Sequence, residues 1–366
     1  MNVKNKVLNS AMFVALWLFS NTVVARTIEV AGTSVVNGSR VDINISVGGT
    51  KAQPETFIPV TVINGSHDGP VLATIAGVHG YEYTSILATE KWLANINPKD
   101  LSGSIIAVRV AHIPAFEEKS IYVNPTDRKN LNRSFPGRVD GSQTDKIAWR
   151  LSTQVIAKAD FVIDLHSGDG AEWLDAFVGV YGGPLSSNYS LAIRVAKGFQ
   201  LPNIVTYKMN TQKQIDKRRS LNRQAVASGL PTILVEIGEN GSKKPEHIQS
   251  IVEGLDAAIQ ILGIRSKVLA SQGNINTPHN PRTLGNTRYF ADTFAVTVNH
   301  SGLWFPKLLT GQFVNKGDTL GTIKSYFGKS VETVLAPNDG FALYGLSGPS
   351  VKKGQSIMTI AKPVNN

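Results

Sequence analysis

Three short segments carry most of the chemistry available to this chain of 366 residues: His79-Gly80-Tyr81-Glu82, Asn130-Leu131-Asn132-Arg133 and Asp164-Leu165-His166. Glu236 follows in Val235-Glu236-Ile237-Gly238. Two imidazoles and one carboxylate, here His79, Glu82 and His166, are the donor set of a catalytic zinc ion that leaves its fourth position to water. Asp164 suits a carboxylate that orients a metal-bound imidazole. Glu236 closes an otherwise apolar stretch, where a charge is costly unless paired or functional. A raised pKa in a partly dry site fits it as the base that takes a proton from water and passes it to a leaving amine. Asn132 and Arg133 suit a substrate carboxylate, which a guanidinium grips in bidentate fashion. Arg128, five residues before Arg133, is the candidate to polarise the scissile carbonyl or to hold a second anion. The set predicts a zinc hydrolase.

Such groups need elements that bring them together. Residues 71–76 form a continuous apolar run that fits a buried parallel strand, as do 105–111, 161–165 and 231–237. Helical spacing marks 83–93 and 146–159. Strands alternating with helices argue for an α/β domain with a mostly parallel sheet. His79, His166 and Glu236 then fall at or just past strand C-termini, where open α/β sheets place their ligands. Gly77 and Gly80 allow the backbone to turn closely around the site. Residues 26–62 read as β-rich, and beyond about 265 helical periodicity gives way to short strands and turns, predicting a small all-β region over 271–366.

Composition narrows the classes. A content of 42% hydrophobic and 17% charged residues is that of an ordinary folded protein. Residues 1–25 read as a cleaved export signal: Lys4 and Lys6, an apolar run from Ala11 to Phe19 too short to span a bilayer, then Val23-Val24-Ala25. The expected product is periplasmic or secreted and not stably inserted in a membrane. With no cysteine there are no disulfides, and any metal is left to His and carboxylate. The formal charge of +10 suits an anionic partner, whereas scattered basic residues without an aromatic-interleaved motif argue against nucleic acid. Lys217-Arg218-Arg219 with Arg223 is the densest basic cluster, read as a solvated face or the rim of a substrate entrance.

Taken in order, Gly77-Val78-His79-Gly80-Tyr81-Glu82, Lys129-Asn130-Leu131-Asn132-Arg133-Ser134-Phe135-Pro136-Gly137, Asp164-Leu165-His166 and Glu236-Ile237-Gly238 resemble the succinylglutamate desuccinylase/aspartoacylase family, in its exported deacylase branch. The resemblance implies a zinc carboxypeptidase-like α/β domain over 26–270 and one zinc ion on His79, Glu82 and His166. It makes Glu236 the general base and acid, and has Asn132 and Arg133 hold the substrate carboxylate, with Asn130 beside them where some members carry Asp. It implies hydrolysis of an N-acyl amino acid amide, with a further arginine stabilising the oxyanion, a role for which Arg128 is the choice and Arg109 the reserve. The C-terminal region looks like the sandwich of biotinyl and lipoyl domains, expected to shape or cover the active-site mouth. Lys329 falls near the modified lysine of those carriers but lacks their acidic or Met neighbours.

Two other readings stand beside this one. A metallocarboxypeptidase acting on peptides or cell-wall stem peptides would share the site and differ in pocket size. A non-catalytic surface-binding module with structural zinc would have no use for a free base such as Glu236, and structural zinc usually has four protein ligands.

Overall fold

The runs Leu72-Ala73-Thr74-Ile75-Ala76 and Phe161-Val162-Ile163-Asp164-Leu165-His166 are buried along their whole length, as strands covered on both faces must be. In the computed structural model, which describes residues 27–49, 53–182, 188–217, 219–265 and 287–364, they lie at the centre of a 13-stranded sheet. The expected leader, Arg218 and the expected domain boundary at 270/271 fall outside the described residues. Strands Ser102–Val108, His67–Ala76, Phe161–His166 and Thr232–Glu236 run parallel and adjacent. Register then decides what meets: Glu236 pairs with His166, and Ala76 pairs with Leu165, three residues short of His79.

Helices cover both faces. Tyr83–Leu93 packs against Pro245–Ile261 on one side, burying Trp92 and Leu93 with Ile251 and Leu255. On the other, Gln143–Gln154 starts from a capping box in which Ser142 and Asp145 satisfy each other's end of the helix. It buries Ile147 and Leu151 against Val71, Ile75 and Val162.

The sheet is mixed, as expected, but its parallel pairs fall in two runs, one central and one toward the C-terminal edge, separated and flanked by antiparallel pairs. Phe57–Asn64 and Ser39–Ser46 add antiparallel strands at one edge. Toward the other, Phe177–Gly182 runs antiparallel to Thr232–Glu236 and parallel to Asn203–Lys208. Arg288–Thr297 then pairs parallel with Asn203–Lys208, and Ser356–Pro363 and Gly340–Leu346 continue antiparallel from it. The C-terminal region is therefore all-β, as expected, yet part of it extends the central sheet. Its other strands, Gly302–Pro306, Thr319–Lys324, Ser330–Leu335 and Ser350–Val351, form a four-stranded sheet. The two share a core of Trp304, Leu320, Ile323, Val334, Ile357 and Ile360. Among the described residues no helix is long and apolar enough to cross a membrane.

Candidate active site

A loop that leaves one strand and doubles back beside another needs room for close backbone contact. Gly77 takes φ +70°, and a Cβ on Gly80 would lie 2.2 Å from the Ala115 carbonyl carbon. These two residues bring His79 to the sheet's C-terminal edge, with Glu82 just ahead of the helix Tyr83–Leu93. His166 ends its strand beside them.

The three side chains converge. Glu82 Oε1 lies 2.6 Å from His79 Nδ1 and its Oε2 lies 2.7 Å from His166 Nδ1. One ligand atom from each falls within 4.8 Å of the others, and all three residues are buried. The far nitrogens face oxygens too: His79 Nε2 is 3.4 Å from Asn130 Oδ1, and His166 Nε2 is 3.1 Å from Asp164 Oδ1, without the alignment of a hydrogen bond. Asp164 in turn accepts from Asn222 Nδ2 at 2.7 Å, and Asn222 Oδ1 accepts from Thr232 Oγ1 at 2.8 Å. Nδ1 atoms aimed at a shared carboxylate, with Nε2 atoms backed by acceptors, fit the requirements of a divalent ion. Burial raises the Glu82 carboxyl, but the His166 and His79 imidazoles outweigh it and hold the group at about 2. Burial lowers His166, and the Asp164 and Glu82 carboxylates more than reverse this.

This cluster forms the floor of a cavity of about 530 Å³. Glu236 lines it, partly buried. Burial holds its carboxyl well above the usual carboxylate range; His166 opposes this, while Glu82, Glu172 and Asp164 add to it. Asn130, Asn132 and Arg133 line it as well. Asn130 heads the short turn Leu131–Arg133 and accepts from the Asn132 N–H at 2.8 Å. Asn132 Oδ1 accepts from the Leu221 N–H at 3.0 Å, so its remaining side-chain group is the NH₂ donor.

Neither candidate for the carbonyl-polarising arginine reaches this space. Arg128 is exposed at φ +61°, in a turn pinned by its own N–H on the Asn124 carbonyl and by Asp127 on Thr144, and it does not line the cavity. Arg109 is committed elsewhere: Nε donates to Thr61 Oγ1 at 2.8 Å and Nη1 pairs with Glu90. Arg133 is the arginine that lines the cavity among the described residues. His112 is buried with Nδ1 3.3 Å from the Val78 carbonyl, burial bringing it down to about 4, and it too stays out of the cavity. Of the basic cluster, Arg219 borders a second cleft with Lys129, Arg133 and Arg138, while Arg223 Nη1 donates to the Gln214 carbonyl at 3.2 Å.

Several lining residues carried no local signal. Tyr122 stands edge-on to His79, centroids 5.3 Å apart. Burial, with Asp169 and Glu82 adding, raises Glu172 to about 8. Tyr344, Leu346, Met358 and Thr359 come from the C-terminal strands, which form the wall. Glu172, six residues past His166 at the start of its own short strand, and Asn222 offered no hint in the sequence.

A family model described as the succinylglutamate desuccinylase/aspartoacylase catalytic domain matches residues 68–262, more than half the chain. The chain belongs to this family. The four matching stretches of sequence therefore carried the family correctly, and in the structure their side chains meet at one cavity. The chain is similar to the N-alpha-acetyl-L-2,4-diaminobutyric acid deacetylase of Halomonas elongata, 28% identical over 314 residues, which span 85% of this chain and 87% of that protein. Among solved structures it is similar to the product-bound ectoine utilization protein EutE (DoeB) of Ruegeria pomeroyi, with TM-score 0.75, 24% identity, and coverage of 88% of this chain and 95% of that one. A succinylglutamate desuccinylase/aspartoacylase from Rhodobacter sphaeroides gives TM-score 0.74, 20% identity, and coverage of 89% and 96%. These solved structures share the succinylglutamate desuccinylase/aspartoacylase fold with this chain.

Proposed function

We propose that this chain is a zinc-dependent deacylase that hydrolyses the amide of an N-acyl amino acid. The observation that carries the reading is the buried His79–Glu82–His166 convergence on the floor of a cavity that also holds Glu236, Asn132 and Arg133. The Halomonas elongata relative deacetylates an amino acid, which supports the substrate class; its substrate also carries a second amino group, free as an ammonium.

His79, Glu82 and His166 would hold one zinc ion. Bound there, zinc supplies a Lewis acid for the amide carbonyl and lowers the pKa of water toward neutrality. Asp164 and Asn130 keep the two imidazoles oriented from behind. Glu236, with its raised pKa, takes up the water proton and returns it to the departing amine nitrogen. Arg133 and the Asn132 amide hold the substrate carboxylate. The wall from the C-terminal strands limits the size of substrate that enters. Residues 1–25 direct export, and the mature protein starts at Arg26; N-terminal sequencing of the exported form checks this, a retained Met1 arguing against it.

The test is release of free amine from a panel of N-acetyl and N-succinyl amino acids, short peptides and cell-wall stem peptides, with and without chelator. Chelator-sensitive release from the acyl amino acids is expected. Release from peptides alone would move the protein to the carboxypeptidases, and a bound metal with no release would favour a binding module.

A further inference from the structure

Glu172 is the ionisable group in the cavity wall to which the deacylase reading gives no task. It opens the strand Glu172–Leu174, whose pairing with Gly340–Leu346 sets Leu346 opposite it. Its backbone is fixed at both ends: the N–H donates to the Asp169 carbonyl at 3.4 Å, and the carbonyl accepts from the Asn240 N–H at 2.9 Å. Among the described residues no Lys or Arg forms an ion pair with its carboxylate. The nearby charges are mostly of its own sign, Asp169 and Glu82, with His166 opposing. Asp169 is only 2% exposed and leaves Oδ2 buried without a hydrogen-bond partner. Carboxyls in such surroundings are costly to ionise without a counter-charge, and a cation that arrives with a ligand removes the cost.

Glu172 shares the lining of one cavity with Arg133, Asn132, Glu236 and the His79–Glu82–His166 floor. We propose that Glu172, backed by Asp169, is a specificity-determining residue that pairs with an ammonium on the substrate side chain. The substrates this site favours are then Nα-acyl derivatives of amino acids with a short cationic side chain. The inference rests on the deacylase reading and adds to it a choice among substrates.

The test compares Nα-acetyl-2,4-diaminobutyrate with its uncharged isostere Nα-acetylnorvaline on the zinc-loaded full protein. A charged hydrogen bond in a partly dry site predicts that wild type prefers the cation by about 10- to 100-fold in kcat/KM, mainly through KM. Glu172→Gln is expected to remove most of that preference, and Glu172→Lys to shift it toward Nα-acetylglutamate. Calorimetric binding of the product 2,4-diaminobutyrate against norvaline should follow the same order. A wild-type ratio near one overturns the inference whether or not the variants fold. Equal loss of kcat on both substrates in Glu172→Gln also overturns it, assigning Glu172 to proton transfer. If wild type releases amine from no acyl amino acid at all, the deacylase reading fails and takes this inference with it; release without charge preference sinks the inference alone.

Discussion

The strand ends at His79, His166 and Glu236 give the cavity ionisable groups, whereas the C-terminal strands give it Tyr344, Leu346, Met358 and Thr359. The floor is a polar chain in which each group faces the next: Thr232 to Asn222, Asn222 to Asp164, Asp164 to His166, His166 to Glu82, Glu82 to His79. The wall is held from behind by apolar contact, with Tyr344 stacked on Phe177 at 6.1 Å and Met358 in the core around Trp304. A network of buried charges is sensitive to the loss of one partner, while an apolar wall tolerates changes of shape. The ionisable floor and the C-terminal wall of the cavity thus come from separate parts of the chain.

The sharpest way to break this division is at the floor. His166→Ala or Glu82→Gln is expected to lose the metal and with it all measurable turnover, read by metal analysis beside an amine-release assay. Full metal occupancy in either variant would remove that residue from the ligand set. Glu236→Gln should keep its metal while kcat falls by about 10²- to 10⁴-fold, the usual scale for a proton-transfer group; unchanged kcat would remove Glu236 as the base. One step further back, Asp164→Asn is expected to weaken metal affinity by about 10- to 100-fold, measured by competition with a chelating dye.

Substitution in the wall should act differently. Tyr344→Ala leaves metal content at one ion and raises KM several-fold more than it lowers kcat, and an equal fall in metal content would show that floor and wall are not separable. The smallest effect concerns stability. A carboxyl whose folded pKa is raised binds its proton more tightly when folded, so Glu236 opposes folding once the pH exceeds the unfolded carboxylate value. Every tenfold gain in proton affinity on folding corresponds to about 1.4 kcal/mol. Metal-free Glu236→Gln should therefore melt higher than metal-free wild type at pH 7, and the difference should vanish below about pH 4. A lower melting point at pH 7 would mean that Glu236 is paired and stabilising.

What the sequence made legible follows the same division. His79, Glu82, His166 and Glu236 stand where apolar strands end, and parallel register carries such positions to one edge of the sheet whatever else the chain does. Arg128 shows where reasoning from spacing stops: five residues from Arg133 along the chain, it sits in a turn whose hydrogen bonds leave it outside the cavity. Glu172, Asn222 and Tyr344 reach the site through pairing between distant segments, which local pattern does not encode. The C-terminal region was legible as strands. That Arg288–Thr297 would join Asn203–Lys208 in the central sheet was not, because the partners lie some eighty residues apart in the chain.

Zinc titration of the metal-free protein, followed by amine release from an N-acetyl amino acid, tests the central claim most directly. The account predicts no release without metal, a linear rise to a plateau at one zinc per chain, and no such rise in His166→Ala. Full release from metal-free protein, or an undiminished rise in His166→Ala, would contradict it.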